Sequence, residues 1–146
     1  MEGLFKEFFD KSMKSYIIDR DDVRMLSPLV LAFVGDAVYH LFIRTYLVSR
    51  HREPVNMLHN RATDYVKAAA QSDTIHSIYQ ILTEEEMGIV KRGRNAKSGT
   101  VPKHADVGEY RYATGFEALL GYLFLTKRHE RLLQILKASI AHKVND

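Results

Sequence analysis

The stretch Leu29-Val30-Leu31-Ala32-Phe33-Val34-Gly35-Asp36-Ala37-Val38-Tyr39 decides the fold class. Ser27-Pro28 stands just before it. A serine at an N-cap accepts from a first-turn amide, and a proline at the first helical position lacks only an N–H that would be unpaired anyway. A helix is therefore predicted from Ser27 to about Ser49, with Arg50, His51 and Arg52 complementing its negative end and Pro54 forbidding continuation. With His40 neutral, Asp36 is the only charge between Ser27 and Arg44. Ala32, Phe33, His40 and Ile43 surround it at helical spacing, so Asp36 points to the buried side of the helix or to its edge.

Working outward, residues from about Asn56 to Ile81 read as a second helical region, with a bend or break within Ala68 to Ser72. Thr83-Glu84-Glu85-Glu86 is a capping-box pattern that starts a helix running to about Arg92, and these glutamates serve that helix end rather than any chemistry. Gly93 to Gly108 holds three glycines and Pro102 among polar residues and reads as a long loop. Tyr112 to Thr126 is a largely apolar helix and His129 to Val144 an amphipathic one, while Met1 to Asp22 suggests a short helix followed by a loop. No segment sustains the alternation of a half-buried strand. The expected class is all-α, and 146 residues without repeats or linkers fit a single domain, residues 1–25 being an N-terminal extension.

A 46% hydrophobic content supports a core, and the absence of cysteine excludes disulfides and thiol chemistry. No signal peptide is expected, and the apolar run Leu29 to Phe42 is broken by Asp36 and His40, so no membrane span is expected either. The reading is compatible with a reducing, cytoplasmic setting. The net charge is only +3. Its distribution is more telling, because Met87 to Ala105 contains no acid but carries Lys91, Arg92, Arg94, Lys97, Lys103 and His104. Such local excess suits a polyanionic partner.

The late apolar helix repeats the pattern of the first, since Glu117 is the only charge from Tyr112 to Thr126. An ionised carboxylate in an apolar setting costs on the order of several kcal/mol unless paired, hydrogen-bonded or bound to metal. If the two helices pack face to face, Gly35, Ala37, Ala118 and Gly121 allow close approach and both acids can meet one cation. Oxygen-only ligation suits Mg²⁺, or Mn²⁺ in its place. The alternative pairs each acid with an arginine or a backbone amide. In Lys91-Arg92-Gly93-Arg94-Asn95-Ala96-Lys97-Ser98-Gly99-Thr100, cations, amides and hydroxyls interleave with glycines, which suits phosphate contact rather than base reading. Equally, such a run can be a solvated basic loop. It lacks the spacing of a nucleotide-binding P-loop. The histidines show no metal-binding spacing, although His40 lies one turn beyond Asp36; Tyr110, Tyr112, Phe116, Tyr122 and Phe124 read as core and subunit contacts.

Taken together, these residues resemble a known family. Phe33 to Val38, with Gly35-Asp36 mid-helix, resembles the ribonuclease III signature, and Phe116-Glu117-Ala118-Leu119 resembles its late-helix motif. The run Lys91 to Thr100 with Pro102-Lys103, and Tyr110 through Thr126, are similar to the Mini-III subgroup, which lacks a double-stranded RNA-binding domain. The resemblance spans roughly Leu29 to Arg131. It implies a homodimeric, all-helical, Mg²⁺-dependent endoribonuclease cutting double-stranded RNA, with Asp36 and Glu117 as catalytic metal ligands. Lys91, Arg92, Arg94, Asn95, Lys97, Ser98 and Lys103 would contact RNA. It further implies a ribosomal RNA precursor of the large subunit as substrate and a large-subunit ribosomal protein as helper. Ala32 and Thr114 stand where ribonuclease III has Glu and Asp, a reduced set that the Mini-III subgroup resembles. A non-catalytic RNA-binding or ribosome-associated module of the same fold is the competing reading, and a helical dimer without nucleic acid a third.

Overall fold

The computed structural model describes residues 3, 4, 7, 11, 18–97, 101, 103, 104 and 106–144. Most of the helix expected before Asp22 falls outside these residues, as do Ser98, Gly99, Thr100 and Pro102 of the basic run. The described helices are α1 (Arg20–Met25), α2 (Pro28–Arg50), α3 (Val55–Val66), α4 (Ala68–Ile78), α5 (Glu84–Asn95), α6 (Val107–Leu125) and α7 (His129–Val144), with a short 3₁₀ turn at Tyr79–Ile81. Among the described residues there is no strand, as expected of an all-α fold.

The long helix begins as its sequence dictates, with Ser27 Oγ accepting from the Val30 amide and Pro28 in the first turn. By length and composition alone α2 is apolar enough to cross a bilayer, contrary to the expectation drawn from its interrupted run. Its partners show its place in this fold. α2 and α6 lie against each other along most of their length and form the centre, with α4 and α5 on α6, α3 on α2, and α7 across α4 and α6. Leu31, Tyr39, Ile43 and Leu47 of α2 meet Phe116, Leu119, Leu120 and Leu123 of α6 in one core, closed by Ile75 and Ile135. Tyr39 meets Phe116 edge-on, with ring centroids 5.0 Å apart.

Glycine makes the central contact. A Cβ at Gly35 would lie 1.7 Å from the Glu117 carbonyl oxygen, and one at Gly121 would lie 1.9 Å from that of Leu31. Backbone therefore touches backbone at this crossing, and no side chain fits between. Of the other small residues expected here, Ala37 is exposed on the outer face of α2, and Ala118 faces α5, with its Cβ beside Gly93.

Several boundaries differ from those read in the sequence. Asp19 caps a short α1 at a position read as loop. The second helical region breaks at Lys67, whose extended backbone (φ −64°, ψ 153°) separates α3 from α4. The expected loop from Gly93 to Gly108 is shorter at both ends. α5 continues to Asn95 because Gly93 seats against Gly115, and α6 starts at Val107 because the Asp106 carboxylate accepts from the Glu109 amide at 3.0 Å. The Thr83–Glu86 capping box forms as read. Glu86 does more than cap, however. It is buried and grips Arg131 through Nε and an Nη, each at 2.8 Å, which ties α5 to α7.

Candidate active site

Asp36 follows Gly35 directly, and Glu117 is the residue whose carbonyl Gly35 touches. The close crossing of α2 and α6 therefore brings the two lone acids together. Their carboxyl groups are in hydrogen-bonding reach of each other. Of the two positions left open for Asp36, the structure selects the edge, since its side chain is 56% exposed and its Oδ1 lies 3.1 Å from His40 Nε2. Glu117 is the desolvated member. Burial first, and then the Asp36 hydrogen bond and charge, push its carboxyl from the ordinary 4.5 up to about 9. At neutral pH Glu117 thus keeps its proton and donates it to Asp36.

That arrangement suits a cation. Among the described residues neither acid has an arginine or lysine partner, which disposes of the simple ion-pair alternative. Two carboxylates that share one proton for want of positive charge would release it to a divalent ion. Ala32 is buried apolar surface and Thr114 Oγ1 donates to the Tyr110 carbonyl at 3.0 Å, so neither adds a ligand. Asp106 is committed to its cap. No cluster of three or more potential ligands occurs among the described residues. One or two carboxylates with the remaining positions held by water is how Mg²⁺ is commonly bound, so the donor set fits.

The basic segment is anchored next to the acids. Gly93 packs against Gly115 and Ala118, which flank Glu117 in sequence, so α5 is fixed to α6 within a turn of the buried carboxyl. Lys91, Arg92, Asn95, Lys97 and Lys103 are exposed. Arg94 is half-buried, with its guanidinium 5.7 Å above the Tyr112 ring and its Nε donating to Asn95 Oδ1. Lys91 and Arg92 are thus helical as expected, Arg94 and Asn95 are helical where a loop was expected, and Ser98 lies outside the described residues.

Some neighbours went unread in the sequence. Arg92 lines a cavity of about 280 Å³ with Arg24, Glu85 and Tyr122. There the Tyr122 hydroxyl donates to Glu85 and Arg128 pairs with the same carboxylate, the tyrosine bond being the main reason that Glu85 is held below its usual range. Nothing local in the sequence signals this grouping, because its members come from α1, α5, α6 and the turn after α6.

A family model described as "Ribonuclease III domain" matches residues 29–128, and the chain belongs to that family of endoribonucleases. Within it, the chain is similar to the Mini-ribonuclease 3 of a Thermoanaerobacter species, with 53% identity over 90% of this chain and 96% of that protein. The Mini-ribonuclease 3 of Clostridium tetani is 47% identical over 88% of each. A crystal structure of a Fusobacterium nucleatum protein superposes with a TM-score of 0.74, at 35% identity, over 84% of this chain and 98% of the other. The resemblance read from the motifs is therefore established for most of the chain.

Proposed function

We propose that this protein is a Mg²⁺-dependent endoribonuclease that hydrolyses phosphodiester bonds of double-stranded RNA, leaving 5′-phosphate and 3′-hydroxyl ends. The observation that carries this reading is the meeting of Asp36 and Glu117 at the α2–α6 crossing, with the Glu117 carboxyl pushed up to about 9 by burial and by its neighbour. When bound, Mg²⁺ (or Mn²⁺) supplies an acidified water and offsets charge on the scissile phosphate. Asp36 and Glu117 hold it from opposite helices. Burial keeps Glu117 neutral until a cation is present, and His40, its Nε2 3.1 Å from Asp36 Oδ1, flanks the other acid. Lys91, Arg92, Arg94, Asn95, Lys97, Ser98 and Lys103 track the RNA backbone, since duplex RNA is recognised through shape, phosphates and 2′-hydroxyls.

A homodimer is part of the proposal. The outer face of α2 and the end of α1 expose Met25 (84%), Phe33 (80%) and Leu41 (69%), an apolar strip that a second copy would cover. Two copies give one site per RNA strand and a short 3′ overhang. The family reading extends to maturation of a large-subunit ribosomal RNA precursor in the cytoplasm, with a large-subunit ribosomal protein as helper.

The test is incubation of the purified protein with end-labelled duplex RNA, with Mg²⁺ and with chelator. Metal-dependent scission leaving 5′-phosphates supports the proposal. Binding that leaves the duplex whole would assign the chain to the non-catalytic alternative, for which the missing acids at Ala32 and Thr114 speak.

A further inference from the structure

The cavity of about 280 Å³ at the end of the α2–α6 crossing has a charge balance that the catalytic reading does not use. Arg24 of α1, Leu31 of α2, Glu85, Ile89 and Arg92 of α5, and Tyr122 of α6 line it. Its one acid is already matched. Glu85 Oε1 accepts from the Tyr122 hydroxyl at 2.7 Å and pairs with Arg128 Nη1 at 2.9 Å. Arg128 is itself seated over the Tyr122 ring, its guanidinium carbon 5.5 Å from the ring centre. That leaves the cations of Arg24 and Arg92. Both are exposed, and among the described residues neither makes a salt bridge. The Tyr122 hydroxyl is the main neighbour of Arg24, and Glu85 and Asp21 act on it only through space.

Two guanidiniums that enter one concavity from different helices, with no acid bonded to either, offer forked N–H donors to an anion between them. Phosphate is the oxyanion whose geometry suits that grip. The cavity offers no face for a base, because the Tyr122 ring is 1% exposed and covered by Arg128. It also adjoins the acids. Leu31 and Tyr122 stand five residues from Asp36 and Glu117 respectively, which is about 7 Å along either helix. Such a step corresponds to roughly two nucleotides of a duplex strand. Arg92, moreover, belongs to the basic run already placed on the RNA backbone. From this arrangement we infer that the cavity seats a second backbone phosphate of the duplex substrate, a phosphodiester near the one that is cut, held between Arg24 and Arg92. The inference rests on the endoribonuclease reading and extends its RNA contact to α1. Arg24 positions the strand and takes no part in the chemistry.

Duplex RNAs in which single phosphates are replaced by uncharged methylphosphonates test it. Binding to the full chain is measured in chelator, so that nothing is cut, and the cleaved bond is located separately in Mg²⁺. The parent is expected to lose roughly tenfold in affinity when one phosphate within about two nucleotides of that bond is made neutral. Arg24→Ala is expected to lose a similar factor on unmodified RNA, to show a salt slope smaller by about 1, and to lose nothing further at that one position. Arg24→Gln, which keeps the reach of the side chain without its charge, should behave alike, and melts that match the parent show that both variants fold. Losses that add independently at every position, or coupling to a terminal phosphate alone, would overturn the inference and leave the nuclease reading standing. A parent that neither binds nor cuts duplex RNA would remove both.

Discussion

Replacing Glu117 by glutamine probes the site through folding, without reference to RNA. Glu117 carries its proton in the folded chain up to about pH 9, but loses it near 4.5 once unfolded. Between these limits the native state binds the extra proton, so stability falls as pH rises, the reverse of the usual behaviour of a paired carboxylate. Glutamine keeps the shape and never ionises. From 4.5 to pH 8 the gap is about 3.5 units, which sets a ceiling near 5 kcal/mol on the advantage of Glu117→Gln in metal-free buffer. Asp36 is open to solvent, and screening at the rim reduces this to about 2 kcal/mol, or roughly 4–8 °C in Tm. The expected melts in chelator therefore show the variant well above the parent at pH 8 and level with it near pH 4.5. Mg²⁺ should raise the Tm of the parent and leave the variant unmoved, and the parent's apparent metal affinity should climb up to tenfold per pH unit below about 9. A Tm difference that does not change with pH would show that Glu117 is not held neutral and would remove the physical basis of the shared-cation site.

Asp36→Asn is expected to abolish cleavage while gel-shift binding of duplex RNA persists; undiminished cleavage would take Asp36 out of the mechanism. Arg92→Ala with Arg94→Ala should weaken binding across unrelated RNA sequences and reduce the slope of log affinity against log salt by about 1 per lost phosphate contact; a loss confined to some sequences would indicate base reading. Gly35→Ala forces a methyl group against the Glu117 carbonyl, and urea unfolding should show a loss of about 3 kcal/mol or more. Phe33→Asp is expected to shift sedimentation from dimer to monomer, and an unchanged profile would place any subunit contact elsewhere than on the outer face of α2.

Much of this was legible before any coordinates. Ser27, Pro28 and Pro54 bracket α2, and Thr83 with Glu86 opens α5, because capping is chemistry between near neighbours. The lone acids stood out by contrast with their apolar surroundings, and Gly35 and Gly121 supplied the means for their helices to touch. The rest depended on contacts between residues distant in sequence. The run after Gly93 looked like loop until Gly115 gave it a seat. Asp106 and Glu109 have the spacing of a cap, but Gly108 and the polar residues around it read as loop, so the start of α6 was placed five residues late. Glu86 read as a cap alone, since its partner Arg131 lies 45 positions away. Periodicity could put Asp36 on a buried face or an edge, and only the neighbouring helix chose between them.

The crossing at Gly35 and Gly121 has a further consequence for how such a chain can change over time. Because main chain rests on main chain there, the separation of the two acids is gauged by peptide geometry and not by the volume of surrounding side chains. Leucines and isoleucines nearby can be exchanged, and the interior can drift in composition, without resetting that gauge. Tolerance should therefore be broad around the crossing and vanish at its two glycines.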